Sequence, residues 1–307
     1  MPFRFTRQEA LGAGVRRLAE AELAAAVALL RDDTTTAELR VHGARKASKR
    51  VRALLRVIRA ALPGPRFRAA NYGLRDAARG LAAARDAAVA LATFDELVPL
   101  PDAALAAVRD GLRAAAEREP AARPDAPALT SGEQGEAARE DGVLVAAAAA
   151  LERVRAGLGD GLAGEELTWD VLADGLETAY RQGRLAMRAA FTAPEDEAFH
   201  DWRKRAKDLW YQVQLVRDAC EPVLGGLEEL LDELGERLGD DHDLAVLAAQ
   251  PAAAGQVELA ASIARRRERL RREAWDLGRK IYAERPRAFV RRVAVYWQVW
   301  RSAEPGQ

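Results

Sequence analysis

Val41-His42-Gly43-Ala44-Arg45-Lys46-Ala47-Ser48-Lys49-Arg50-Val51-Arg52-Ala53-Leu54-Leu55-Arg56-Val57 is written in steps of three and four. Successive helix residues turn by about 100°. His42, Arg45, Lys46, Lys49, Arg52, Arg56 and Arg59 therefore share one face, and Val51, Leu54, Leu55, Ile58 and Leu62 take the opposite one. The apolar side is built to pack, while the other presents cations over roughly 25 Å. Thr35-Thr36-Ala37-Glu38 reads as a capping box that opens the helix, and Pro63-Gly64-Pro65 stops it. Eight cations and no acid lie between Arg40 and Arg59. A solvated helix face normally mixes signs, because opposite charges at i,i+4 help the helix and like charges oppose it. This face accepts the repulsion, which marks it as a candidate anion-binding surface.

The same spelling returns. Val41 to Lys49 reappears as Phe199-His200-Asp201-Trp202-Arg203-Lys204-Arg205-Ala206-Lys207, offset by 158, with His, Arg, Lys and Lys in register. Arg59 and Arg217 keep that register. At an offset of 157, Leu74, Leu81, Arg85, Asp86 and Val89 face Leu231, Leu238, His242, Asp243 and Val246. One unit written twice predicts two helical bundles related by a pseudo-two-fold axis. The second face is less charged, continuing as Trp210, Tyr211, Gln214 and Arg217, with Tyr211 expected on the basic side. Arg181, Arg184 and Arg188 form another stripe. Arg265, Arg269, Arg272, Arg279 and Lys280 form a looser one, interrupted by Asp276.

Helical periodicity covers most of the chain. Alanine and arginine dominate, and strand formers are sparse. The punctuation predicts helices over about 67–98, 102–119 and 257–283, and one more after Pro286. It predicts a glycine-rich turn at 157–164 and a break at 222–226. Pro120, Pro124 and Pro127 mark 121–142 as a linker, dividing the chain into a first half at 1–120 and a second half at 143–303. The expected class is all-α. The single cysteine, Cys220, excludes an intramolecular disulfide. No apolar run is long enough to cross a bilayer, so a soluble cytoplasmic protein is expected. Net charge is zero, 47 basic against 47 acidic residues, but the total conceals segregation. Arg40 to Arg75 holds eleven cations and no acid, whereas Asp218 to Asp243 holds ten acids and one base, Arg237. The acidic stretch is expected to face solvent or to pair with spare arginines.

No nucleotide-binding loop, nucleophile with its base, or His/carboxylate metal cluster is legible. Arg40-Val41-His42 departs from the Arg-His-Gly signature of histidine phosphatases, since Val41 intervenes and the segment is a capped helix. A binding protein without cofactor or metal is the expectation. Its ligand would be a long polyanion, because arginine forks and lysine ammonium groups suit closely spaced phosphate oxygens. Nucleic acid is the alternative polyanion, disfavoured by the scarcity of aromatics among the first face's cations; a phosphohydrolase is the other rival.

VHGARKASKRVRALLRV, FHDWRKRAKDLWY, LGDDHDLAVL and LGRKIYAERPRAF resemble the CHAD family, the conserved histidine α-helical domain. The resemblance implies two helical bundles about a pseudo-two-fold axis, a basic groove or tunnel between them, binding of inorganic polyphosphate, and association with polyphosphate granules in bacteria. Carried over by position, the contacts would be His42, Arg45, Lys46, Lys49, His200, Arg203, Lys204 and Lys207. Tyr180, Arg181 and Arg184 look like the family's Tyr-Arg…Arg element, and Lys280 like its late lysine. With Arg52, Arg56 and Tyr211 from the stripes, these make the candidate site. The chain departs at Arg85-Asp86, where the second copy has His242-Asp243, and at Asp208, where the first copy has Arg50.

Overall fold

The computed structural model describes residues 2–81, 85–99, 102–117, 133–162 and 167–303; the side chains of 85–87, 104, 133–141 and 160–162 lie outside the description. Within those limits the protein is all-α, 85 % helical, with eleven helices and no strand. They are α1 (Leu11–Leu30), α2 (Ala37–Val57), α3 (Gly64–Gly80), α4 (Arg85–Leu97), α5 (Ala103–Glu117), α6 (Glu133–Leu162), α7 (Trp169–Thr192), α8 (Asp196–Val216), α9 (Glu221–Ala248), α10 (Val257–Ile281) and α11 (Pro286–Ser302).

The decisive stretch forms α2. Thr36 caps it by accepting from the Leu39 amide. Its apolar side, including Val51, Leu54, Leu55 and Ile58, is fully buried, each such side chain contributing roughly 1.5–3 kcal/mol. Helix α8 has the same length, 21 residues, and each of the two runs into a short 3-10 turn, at 59–61 and 217–219. At the offset of 158 the buried Ala44, Ser48, Val51, Ala53, Leu55 and Val57 correspond to the buried Trp202, Ala206, Leu209, Tyr211, Val213 and Leu215, whereas the buried Ala47 corresponds to the partly exposed Arg205.

Packing does not follow the division at 121–142. Of that segment, 121–132 lies outside the described residues, and α6 begins at Glu133, before the expected Val143. Helix α6 packs on α1 and α3, helices of the first half. One large core runs from Phe3 to Trp297. A smaller one joins Ala90, Phe94, Val108 and Leu112 of α4 and α5 to Leu244, Leu247, Leu259 and Ile263 of α9 and α10. The expected helix over 67–98 is two helices, because α3 packs against α6 and α4 against α5 and α9; Gly80 marks the end of the first. The expected turn at 157–164 is helical through Leu162. The expected break at 222–226 is instead the first turn of α9, where Pro222 loses no intrahelical hydrogen bond. At Gly175, α7 meets α2 so closely that a Cβ would lie 2.0 Å from the Val57 carbonyl oxygen.

Candidate functional site

On α2 the cationic face is open to solvent along its length: His42, Lys46 and Lys49 are exposed and Arg45, Arg52 and Arg56 are half-buried. Its inner edge rests on α3, where Arg52 Nε donates to Asn71 Oδ1 at 3.1 Å. Helix α3 brings arginines at 66, 68, 75 and 79 and one acid, Asp76. The Arg52 guanidinium is held below the usual arginine range, first by burial and then by Arg56 and Arg75, with Asp208 pulling the other way. Burial and two neighbouring guanidiniums thus disfavour the charge on Arg52, a condition that a bound anion would relieve.

The second basic helix meets the first at one seam. Arg56 Nη1 lies 2.5 Å from Asp208 Oδ1, Arg205 Nη1 is 3.9 Å from Asp208 Oδ2, and Gln212 Nε2 donates to the Ala53 carbonyl at 3.4 Å. Burial pushes the Asp208 carboxyl up, while Arg56, Arg205 and Arg52 oppose it. Asp208 and Gln212 sit on a different side of α8 from Arg203 and Lys207, which turn toward α9. Lys207 Nζ is 3.0 Å from Asp232 Oδ1 and 4.3 Å from the centre of the Trp210 ring. Gln214 Nε2 donates to Glu228 at 2.9 Å, and Arg217 reaches Glu228 at 3.2 Å and Glu221 at 2.9 Å. The hydrogen bond with Glu221 raises the Arg217 pKa, and Glu228 adds to it, the reverse of Arg52. The acidic stretch read from the sequence thus pairs with arginines and a lysine. Lys204 remains at the surface, 3.0 Å from Asp201.

His200 stacks on His242 with ring centres 4.5 Å apart. Burial, then Lys204, His242 and Arg203, push the His200 pKa down to about 4, with Asp201 alone raising it. The ring is neutral near pH 7. The unfolded chain, with an ordinary histidine, takes up its proton first as the pH falls. Stability is therefore expected to drop between about pH 6.5 and pH 4, by on the order of 1 kcal/mol once solvent screening of this half-buried group is allowed for. Urea midpoints at pH 7 and pH 5 should show that loss in the parent protein and less of it in His200→Gln; an equal loss in both would assign it to other groups.

Two expected contacts are corrected. Tyr180 is fully buried. Its hydroxyl donates to the Ile281 carbonyl at 2.9 Å and accepts from the Glu284 amide at 3.2 Å, and its ring stacks on Phe289 at 4.5 Å. It pins the turn between α10 and α11 and offers nothing to a ligand. Tyr211 is also buried, not on the basic face; it occupies the register position of Ala53, a core position in both copies. The rest of the Tyr-Arg…Arg element serves the same end of the molecule. Arg184 Nη1 donates to the Glu284 carbonyl at 2.9 Å, while Arg181 contacts Thr178 at 3.1 Å and Glu177 at 3.4 Å. Lys280 lies exposed in the last turn of α10.

Sequence reading missed Asn71 and Arg75, although the spacing that equates α3 with α9 places them opposite Glu228 and Asp232. It also missed Asp241, buried to 2 % exposure, whose carboxylate holds Arg267 at 3.0 Å and Arg271 at 2.9 Å. Among the described residues no three His, Cys, Asp or Glu side chains are grouped to hold a metal ion. No described helix is long and apolar enough to cross a membrane.

The family model of the CHAD domain matches residues 14–252, about three quarters of the chain and both basic helices. The match ends before α10 and α11, so Lys280 and the LGRKIYAERPRAF segment lie outside it. No curated protein matches the chain.

Proposed function

This chain belongs to the CHAD domain family, and on that premise we propose that it binds linear inorganic polyphosphate without turning it over. The primary contact surface is the cationic face of α2 with its border on α3: His42, Arg45, Lys46, Lys49, Arg52 and Arg56. One observation carries this reading. Arg52 rests on the neutral Asn71, partly buried beside Arg56 and Arg75 with Asp208 as the opposing charge, whereas on α8 Lys207 is held by Asp232 and Lys204 by Asp201. Neighbouring positions three and four apart on a helix lie about 5–6 Å from each other, a spacing that lets several side chains grip one phosphate chain. Charge-assisted hydrogen bonds to those oxygens are each worth roughly 1.5–3 kcal/mol before entropy and desolvation losses. His200, Arg203, Lys204 and Lys207 are then secondary contacts. A pseudo-two-fold relation between α2 with α3 and α8 with α9, and residence on polyphosphate granules, belong to the same proposal.

The test is affinity for long-chain polyphosphate, duplex DNA and single-stranded RNA at one physiological ionic strength, since each is salt-dependent. Polyphosphate is expected to bind at least tenfold more tightly than either nucleic acid, with no phosphate released in Mg²⁺. Equal affinities would make the protein a general polyanion binder.

A further inference from the structure

The two basic helices face unlike neighbours. In the spacing that equates Leu74 with Leu231 and Leu81 with Leu238, all four buried, Asn71 stands where α9 has Glu228, Arg75 where it has Asp232, and Ala78 where it has Gly235. The carboxylates are the ones that hold Lys207, Gln214 and Arg217. The glycine is where the lysine lies: a Cβ on Gly235 would come within 2.4 Å of Lys207 Cε, and one on Gly239 within 3.4 Å of Arg203 Nη2. A glycine inside a helix costs about 1 kcal/mol relative to alanine. In α9 that cost coincides with room for Lys207 to reach Asp232 and for Arg203 to lie beside Gly239.

We propose that α9 acts as an internal polyanion: its Glu228 and Asp232 carboxylates occupy positions beside α8 that phosphate oxygens would take, which leaves the second copy only a small share in binding external ligand. The two basic helices then differ in how far the chain's own carboxylates serve them. Part of this inference rests on the reading of α2 as the primary contact surface, and the part concerning α8 is tested separately.

Four full-length proteins suffice: the parent, Arg45→Glu/Lys49→Glu, Glu228→Gln/Asp232→Asn, and the combination. The probe is long-chain sodium polyphosphate at physiological ionic strength. The amide pair is expected to restore at least tenfold in affinity to the charge-reversed background, and Lys207→Ala should remove that gain. Glu229→Gln/Glu233→Gln takes the same two charges from exposed positions on α9 and should give less than twofold, which separates local release of cations from a change in net charge. An amide pair that yields no gain, or no more than Glu229→Gln/Glu233→Gln, overturns the proposal. Should the amide pair not fold, Asp232→Asn alone, with a gain of about threefold expected, decides in the same way. If the parent protein binds no polyphosphate, the reading of α2 fails; binding acquired by Glu228→Gln/Asp232→Asn would still support this inference, and none would overturn it.

Discussion

Reversing charge at Arg45 and Lys49 together is expected to lower the affinity for long polyphosphate at least a hundredfold and to leave the helix content unchanged. Two charge-assisted bonds at roughly 1.5–3 kcal/mol each account for that size even after part is lost to compensation. Both positions lie across α2 from its buried face, so the core is untouched, and relief of like-charge repulsion along the helix favours the fold. The matched reversal, Arg203→Glu with Lys207→Glu, should behave in the opposite way. Its effect on binding should stay within about threefold, because those cations already serve α9. Its effect on stability should be larger, since a glutamate at 207 would face Asp232 where an ion pair now stands. Circular dichroism and thermal melting accompany each titration. Equal losses of affinity from the two reversals, in folded proteins, would mean that both helices contribute alike to one groove.

Gly175→Ala is expected to destabilise the protein by on the order of 3 kcal/mol, lowering the melting temperature by several degrees. Helix propensity taken alone gives the other sign, about 1 kcal/mol of stabilisation for alanine in a helix interior. The added Cβ would stand 2.0 Å from the Val57 carbonyl oxygen and 2.5 Å from its Cα, and neither is a flexible side-chain end that can move aside. The helices α7 and α2 must separate, opening the core around Val57 and Leu176, both buried. Gly142→Ala is the control, because nothing lies within 4 Å of a Cβ there; it should be neutral or slightly stabilising. A neutral Gly175→Ala would show that the contact between the two helices yields at little cost.

The amino-acid sequence by itself determined the class of the fold and the helix that matters. The steps of three and four in Val41 to Val57 define a buried side and a cationic side without reference to any other residue, and α2 has both as read. The offset of 158 pointed to a second basic helix, and α8 stands there, with buried positions that coincide with those of α2 at most places but not at Ala47 and Arg205 or at Val41 and Phe199. What periodicity could not supply was the identity of each face's neighbour. His42 to Lys49 and His200 to Lys207 look alike along their own helices, but one face rests on α3 with Asn71 and the other lies against α9 with Glu228 and Asp232. That difference belongs to pairs distant in sequence. Tyr180 and Tyr211 were misplaced for a related reason. Tyr180 was carried over from the family's Tyr-Arg…Arg element and Tyr211 from its place beside a basic stripe, and only the packing shows Tyr180 satisfied by the backbone at 281–284 and Tyr211 inside the core. Glycine carries the same lesson. Gly157 and Pro222 read as punctuation because local propensity is all that a linear pattern reports, whereas helix α6 continues through the first and α9 begins at the second. Gly175 is required by close approach of the Val57 backbone, and Gly235 leaves room for the end of Lys207; such distances exist only once the helices are packed.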